Sequence, residues 1–121
     1  MILVDTSVWV NHFRAGDDRL ARMLVEEQVG LHPFVLGEIA AGNLRERSRV
    51  LSYLRCLPQP AMADESEVHH LLEARRLWGS GLGWVDLHIL ASTKLGGWEM
   101  YSADSGMNRA ATRLGIACVG G

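Results

Sequence analysis

The chain has 121 residues, 48% of them hydrophobic and 21% charged, which fits one globular domain and excludes a disordered chain. It lacks the basic start of a secretory signal, and no apolar run reaches the roughly 18–20 residues of a membrane span, so we expect a cytoplasmic protein. Cys56 and Cys118 form no CxxC pair, which favours reduced core thiols over a zinc or redox site. The formal charge of −2 by itself argues against nucleic-acid binding.

Short apolar runs alternate with amphipathic segments along the chain. The run Ile2–Asp5 predicts a buried strand, and Thr6 or Ser7 is suited to cap the helix that follows it. Asp64 and Glu67 have the spacing of a capping box at the start of a later helix. The predicted helices cover residues 6–14, 34–41, 45–57, 85–95 and 106–114, and two more begin at residues 17 and 64. The predicted strands cover residues 2–5, 29–32, 98–102 and 116–119.

This alternation predicts the fold class. Strands that alternate with helices favour a three-layer α/β/α sandwich around a mostly parallel central sheet. The segment PQPAMA reads as a linker within one domain, because the remaining half is too small to fold alone, so a single domain over residues 1–121 is expected. Ligands of such sheets bind at the carboxyl ends of the strands, which places Asp5 and Asp104 at the same edge.

Four acidic residues have unusual settings. Asp5 ends a buried strand, Glu38 stands alone in FVLGEIAAG, Asp86 stands alone in GWVDLHILAS, and Asp104 follows MYSA. No Lys or Arg lies within four residues of the first three, and an unpaired carboxylate is costly to bury. Each acid alone is open to interpretation as a helix cap, a turn residue or a solvated side chain. The four together favour a bound divalent cation, which would offset the cost for all of them.

The chemistry of such a cluster is metal-assisted hydrolysis. Mg²⁺ and Mn²⁺ prefer oxygen ligands and keep several waters, and a metal-bound water is well suited to attack phosphorus. Acyl transfer is unsupported, because Ser7 and Ser92 lack a GxSxG context. The pair His69 and His70 lacks the HExxH pattern of metalloproteases.

Four segments carry a resemblance to a known family. In their order and spacing, ILVDTSVWV, VLGEIAAG, GWVDLHILAS and YSADSGMNRAATRLGI resemble the PIN-domain endoribonucleases, and among them the VapC-type toxins of bacterial toxin–antitoxin pairs. The resemblance implies RNA cleavage that depends on Mg²⁺ or Mn²⁺, a homodimer and a VapB-like antitoxin partner. It implies that Asp5, Glu38, Asp86 and Asp104 are catalytic, with Asp5, Asp86 and Asp104 as metal ligands.

The resemblance also assigns supporting positions. Thr6 and Ser7 beside the first acid, and Ser102 where the family often has Thr, would orient the site. Some members of the family carry a further acid where this chain has Gly106, so we expect one well-held ion rather than two. Of the 14 acidic residues, setting aside the four site acids leaves 10, against 12 basic ones. Eight arginines are candidates for contact with RNA phosphates, and the favoured alternative is that they lie on solvated helix faces. They are Arg45, Arg47, Arg49, Arg55, Arg75, Arg76, Arg109 and Arg113.

Other functions remain open at this point. A phosphorelay receiver domain has a similar length and also binds Mg²⁺, but it needs paired acids after its first strand and a late Lys, whereas Asp5 stands alone and Lys94 falls in a predicted helix. A catalytically idle PIN-fold interaction module is a further alternative. Four apolar residues of the predicted helices either fill the core or line an apolar groove that would accept a helix of a partner protein. They are Met23, Leu24, Leu51 and Leu54.

Overall fold

The computed structural model describes residues 1–120 and is built on a parallel sheet. The strands are β1 (Ile2–Val4), β2 (Val29–Gly30) and β3 (Glu99–Tyr101), in the order β2-β1-β3. Leu3 of β1 is in register with Gly30 and Met100, and both pairings are parallel. All of β1 is buried, which explains why its sequence has no polar position.

Helices occupy most of the described chain and complete the expected three-layer α/β/α sandwich. The longest, α6, is buried over seven consecutive residues, as expected of a helix that packs on all sides. Of its buried hydroxyls, that of Thr93 donates to the Ile89 carbonyl of the same helix at 2.7 Å, whereas that of Ser92 accepts the Ala63 N–H at 3.1 Å. The helices are α1 (Thr6–Ala15), α2 (Asp18–Val25), α3 (Pro33–Ala41), α4 (Arg47–Leu54), α5 (Glu65–Ala74), α6 (Trp84–Gly96) and α7 (Ser105–Arg113).

Several element ends differ from the sequence expectation. Asp5, rather than Thr6 or Ser7, caps α1, because its carboxylate accepts the Thr6 N–H. The predicted strand 29–32 stops at Gly30, since the Leu31 N–H turns to the Pro58 carbonyl at 2.8 Å. The predicted strand 116–119 is reduced to one parallel bridge between Met100 and Cys118.

The predicted helix 45–57 is also too long. Glu46 has a left-handed conformation with φ of +50°, which prevents α4 from beginning earlier. At the other end, the Cys56 N–H bonds the Tyr53 carbonyl three residues back, the tight pattern that closes a helix. The capping box expected at Asp64 and Glu67 is present at the start of α5.

Burial corrects two further expectations. Cys56 is exposed and Cys118 only partly buried, both as free thiols, so the assignment of both to the core is wrong. Met23, Leu51 and Leu54 are core residues, and Leu24 packs against the core. Leu24 and Leu54 also line a cavity of about 320 Å³ between α1, α2 and α4, so they contribute to the core and to a cavity. Within residues 1–120, no helix has the length and apolar character to cross a membrane. The predicted domain 1–121 also includes Gly121, which lies outside the described residues.

Gly30 allows the sheet to pack against Trp98. A Cβ at this position would overlap the indole ring of Trp98 and lie 3.1 Å from the Pro58 carbonyl oxygen. We therefore expect Gly30→Ala to lower the free energy of unfolding by about 1–3 kcal/mol, as overpacked cores do. Chemical denaturation measures this.

Gly37 provides the matched control, because a Cβ there meets nothing within 4 Å in the interior of α3. Gly37→Ala should raise the free energy of unfolding by roughly 0.5–1 kcal/mol. Equal denaturation midpoints for Gly30→Ala and the wild type would contradict the packing argument.

Candidate active site

Asp5 lies where the central strand ends and α1 begins. Its backbone N–H extends the sheet by bonding the Tyr101 carbonyl at 2.9 Å. Its Oδ1 accepts the Thr6 N–H at 2.9 Å, and its Oδ2 accepts the hydroxyls of Ser7 and Ser102 at 3.0 and 2.8 Å. The residue is only 6% exposed. Within residues 1–120 no basic side chain forms an ion pair with it, so hydrogen bonds alone compensate its burial.

Asp104 is linked to Asp5 through Ser102. The Asp104 N–H donates to Ser102 Oγ at 3.0 Å, and the same hydroxyl donates to Asp5. The Asp104 Oδ1 caps α7 by accepting the N–H groups of Gly106 and Met107. Ser7 braces the same loop by accepting the Ala103 N–H at 3.0 Å. The ends of β1 and β3 therefore hold two acids at one sheet edge, as the sequence predicted.

Glu38 joins this network through Thr6. The Thr6 hydroxyl donates to Glu38 Oε1 at 2.7 Å, which ties α3 to the first turn of α1. Glu38 is exposed, as is Asp104. The expectation that burial makes every site acid costly therefore holds for Asp5 and is wrong for these two.

Asp86 has a separate environment. It is partly buried in the first turn of α6, and its Oδ2 accepts the Gly83 N–H at 3.0 Å. No hydrogen bond joins it to Asp5, Glu38 or Asp104 within residues 1–120. The structure thus connects three of the four predicted acids through Thr6 and Ser102 and leaves Asp86 outside that network.

The donor set suits a hard divalent cation, although no preformed cage exists. Across residues 1–120, no three acidic, His or Cys side chains lie close enough together to hold a metal ion. Each of the three acids other than Asp5 has one carboxylate oxygen without a hydrogen-bond partner within the same residues. These oxygens are Glu38 Oε2, Asp86 Oδ1 and Asp104 Oδ2. Mg²⁺ commonly takes only one or two carboxylates and completes its shell with waters and phosphate oxygens. These residues fit that mode of binding.

His32 is a buried residue that the sequence did not single out. It caps α3 by accepting the Phe34 N–H on Nδ1 at 2.9 Å, and its Nε2 lies 3.3 Å from the Ser92 hydroxyl. Burial, and next the charge of His88, lower the pKa of His32 from 6.5 to about 4. The imidazole is therefore neutral at physiological pH. The only sequence signal was its place before Pro33 at a helix start.

A second contact fixes α2 beside the sheet. The Tyr101 hydroxyl donates to Asp17 Oδ2 at 2.7 Å, and Asp17 also caps α2. Burial raises the pKa of Asp17, but hydrogen bonds from the Leu20 N–H and the Tyr101 hydroxyl outweigh it and lower the pKa below its usual value. Burial and the bond to Asp17 raise the pKa of Tyr101. This contact holds β3, and so Ser102, in place.

Comparison with known proteins agrees with the fold. The PIN domain family matches residues 2–113. Two curated relatives, each named Ribonuclease VapC32, come from the CDC 1551 / Oshkosh and ATCC 25618 / H37Rv strains of Mycobacterium tuberculosis. Each is 43% identical over 118 residues, covering 97% of this chain and 95% of the relative.

Solved structures resemble the chain over nearly its whole length. FitAB bound to an IR36 DNA fragment has a TM-score of 0.66 at 18% identity, covering 98% of this chain and 93% of the other. FitAcB from Neisseria gonorrhoeae has a TM-score of 0.67 at 20% identity, with 98% and 96% covered. The molecule is thus an α/β/α sandwich of the PIN type. The chain belongs to the PIN domain family, and the resemblance to VapC-type proteins is confirmed.

His32 gives the protein a specific pH dependence. The unfolded chain binds a proton at this residue near pH 6.5, whereas the folded chain does so only near pH 4. The contribution of His32 to stability is therefore complete above about pH 6.5 and is lost as the pH falls toward 4. The loss approaches about 1.4 kcal/mol per pH unit within that window.

Thermal or denaturant unfolding across this pH range tests the assignment. His32→Asn keeps an acceptor for the Phe34 N–H but does not titrate, so its stability should fall less steeply on acidification. His70→Asn is the control, because it removes an exposed histidine that is solvated in the folded and the unfolded chain. Parallel pH profiles for the wild type and His32→Asn would show that the buried imidazole is not responsible.

Proposed function

We propose that this protein is a metal-dependent endoribonuclease, the toxin of a VapBC-type pair, and that residues 1–121 form its single nuclease domain. The observation that carries the proposal is the buried Asp5 carboxylate at the sheet edge, linked to Glu38 through Thr6 and to the Asp104 N–H through the Ser102 hydroxyl. The 43% identity to proteins named Ribonuclease VapC32 supports the substrate class. We place its activity in the cytoplasm, and we infer a homodimer from the likeness to VapC-type toxins.

The proposed cofactor is Mg²⁺ or Mn²⁺, with Asp5, Asp86 and Asp104 as the proposed ligands. Because no three acids within residues 1–120 lie close enough together to hold an ion, one or two of them would bind it directly, and waters and phosphate oxygens would complete its shell. When bound, such an ion would supply an activated water and stabilise the charge that develops at phosphorus. The chain's own residues prepare the site: Ser7 and Ser102 fix the Asp5 carboxylate, and Thr6 orients Glu38 through its Oε1. Glu38 Oε2 remains available to accept a hydrogen bond from a water.

Two other functions were compatible with the sequence, a phosphorelay receiver and a catalytically idle PIN module. Because the chain belongs to the PIN domain family, it is not a phosphorelay receiver domain. A catalytically idle PIN module is distinguished by the absence of metal-dependent hydrolysis.

We expect the purified protein to cleave single-stranded or looped RNA in the presence of Mg²⁺ or Mn²⁺ and to stop when EDTA is added. Unpaired RNA is favoured because its bases and backbone can enter a cleft. Asp5→Asn and Asp104→Asn should reduce the cleavage rate by at least about a hundredfold, since even the loss of groups that merely support a metal ligand costs 10–100-fold. Sequencing of the new RNA ends measures cleavage.

Asp64→Asn is the matched control for Asp104→Asn. Both residues cap a helix with the same side chain, but Asp64 lies at the start of α5 and outside the acid network. Saturating Mn²⁺ should stabilise the wild type and Asp64→Asn by about 2.7 kcal/mol at a hundred times the Kd, and the site variants much less. Undiminished cleavage in EDTA would refute metal dependence.

The antitoxin partner is proposed to bind a groove between α1 and α3. This α1–α3 groove encloses about 400 Å³. Val10 is 49% exposed and Phe13 38%, and their spacing puts both on one face of α1. An amphipathic helix fits this surface, and a basic side chain on it would reach Glu38. The lining residues are Val10, Phe13, Arg14, Glu38, Ile39, Gly42, Asn43, Leu44 and Arg45.

A charge placed in the α1–α3 groove should abolish neutralisation without affecting catalysis. Expression of the wild type should arrest growth, and a genomic library should yield a small protein that relieves the arrest. Val10→Asp should still cleave RNA but should escape this protein. Val25→Asp, at an 84% exposed valine of α2, should remain neutralised. Neutralisation of both variants would place the partner elsewhere.

A further inference from the structure

A row of aromatic rings involves the two helices that carry Glu38 and Asp86 and has no role in the proposed metal site. His32 and Phe34 have ring centroids 5.1 Å apart, and Phe34 lies 4.9 Å from His88. His88 lies 4.8 Å from Trp84, and Trp84 lies 4.7 Å from His69. We call these five residues the aromatic row. It connects α3, α6 and α5.

The aromatic row lies on the two helices that supply Glu38 and Asp86. Phe34 precedes Glu38 by four residues in α3, so the two share a face one turn apart. Trp84 opens α6, two residues before Asp86. His88 contacts both Phe34 and Trp84, so the aromatic row bridges α3, which carries Glu38, and the first turn of α6, which carries Asp86.

The exposed rings are held in place without serving the core. Phe34 is 39% and Trp84 40% exposed, whereas His88 beneath them is 7% exposed. Neither exposed ring belongs to the hydrophobic core or to the residues that pack against it. Trp84 meets His88 edge to face at 83°, a favourable arrangement for aromatic pairs. A large aromatic ring that faces solvent and is packed against a buried imidazole is suited to stack on a flat ligand.

We propose that Trp84, assisted by Phe34, stacks on an unpaired base of the RNA substrate beside the cleavage site. The proposal rests on the ribonuclease function and deepens it, since it restricts the substrate to RNA with an unstacked base at this position. Stacking suits this location because a base carries no charge, so the nearby carboxylates do not repel it as they repel phosphate. Bases in a duplex are already stacked on their neighbours and are unavailable.

The test separates base contacts from backbone contacts. The probes are a fluorescent single-stranded oligoadenylate and an abasic strand of the same length, with binding followed by anisotropy in EDTA so that no cleavage occurs. The wild type should prefer the oligoadenylate. Trp84→Leu should lose about tenfold of affinity for it and nothing for the abasic strand, whereas Trp84→Phe should keep most of the preference.

Trp78→Leu is the matched control, because Trp78 is an equally large ring, 56% exposed, and follows α5 rather than lying beside the acids. It should bind both strands as the wild type does. The salt dependence of oligoadenylate binding should be the same for the wild type and Trp84→Leu, since stacking releases no counterions. A change in the logarithmic slope of about 0.7 would instead indicate a lost phosphate contact and overturn the proposal.

Two further results would overturn it. One is that the wild type and Trp84→Leu each bind the oligoadenylate and the abasic strand with the same affinity. The other is a change in solution mass for Trp84→Leu with equal weakening toward both strands, because Trp84 would then be a contact between copies. Cleavage assays on the same proteins separate this proposal from the nuclease function. If the wild type cleaves no RNA but still prefers the oligoadenylate, and Trp84→Leu lacks that preference, the nuclease function is refuted and the stacking site is retained.

Discussion

The arrangement of this site depends on one buried carboxylate. Asp5 accepts three hydrogen bonds, one from the turn that begins α1 and two from serines that belong to α1 and to the end of β3. Burying an unpaired carboxylate costs several kcal/mol, and each hydrogen bond to a charged group returns about 1.5–3 kcal/mol. The three bonds are therefore of the right size to keep Asp5 in place without a cation.

The same bonds determine how Asp5 can act. A carboxylate has about four positions at which it accepts hydrogen bonds or metals, and three of them are occupied here. What remains is on Oδ1, which accepts only the Thr6 N–H. Asp5 is thus suited to be a single-oxygen ligand of fixed position, while the exposed Glu38 and Asp104 retain a free oxygen and room to move.

Much of this could be predicted from the sequence, because the relevant signals are local. The alternation of strands and helices, and the capping box at Asp64, depend on neighbours within a few residues. Asp5 and Asp104 were expected at one edge because parallel strands end together. The early end of β2 was not predictable, since the Leu31 N–H finds its acceptor at Pro58. Nor was the separation of Asp86 from the other acids, or the exposure of Glu38, because helix packing determines both.

The aromatic row could not be predicted from the sequence for the same reason. It matters for RNA binding, because the acids at this edge of the sheet repel phosphate groups. Phe34 and His88 are far apart in the chain and meet only when α3 packs near α6. A phosphate about 4 Å from a solvated carboxylate is repelled by roughly 1 kcal/mol, and stacking on one base contributes roughly 1–3 kcal/mol. Stacking at Trp84 is thus large enough to offset the repulsion from one or two carboxylates. Because stacking does not depend on counterions, it would hold the strand beside the acids even at ionic strengths that weaken the attraction between arginines and phosphates.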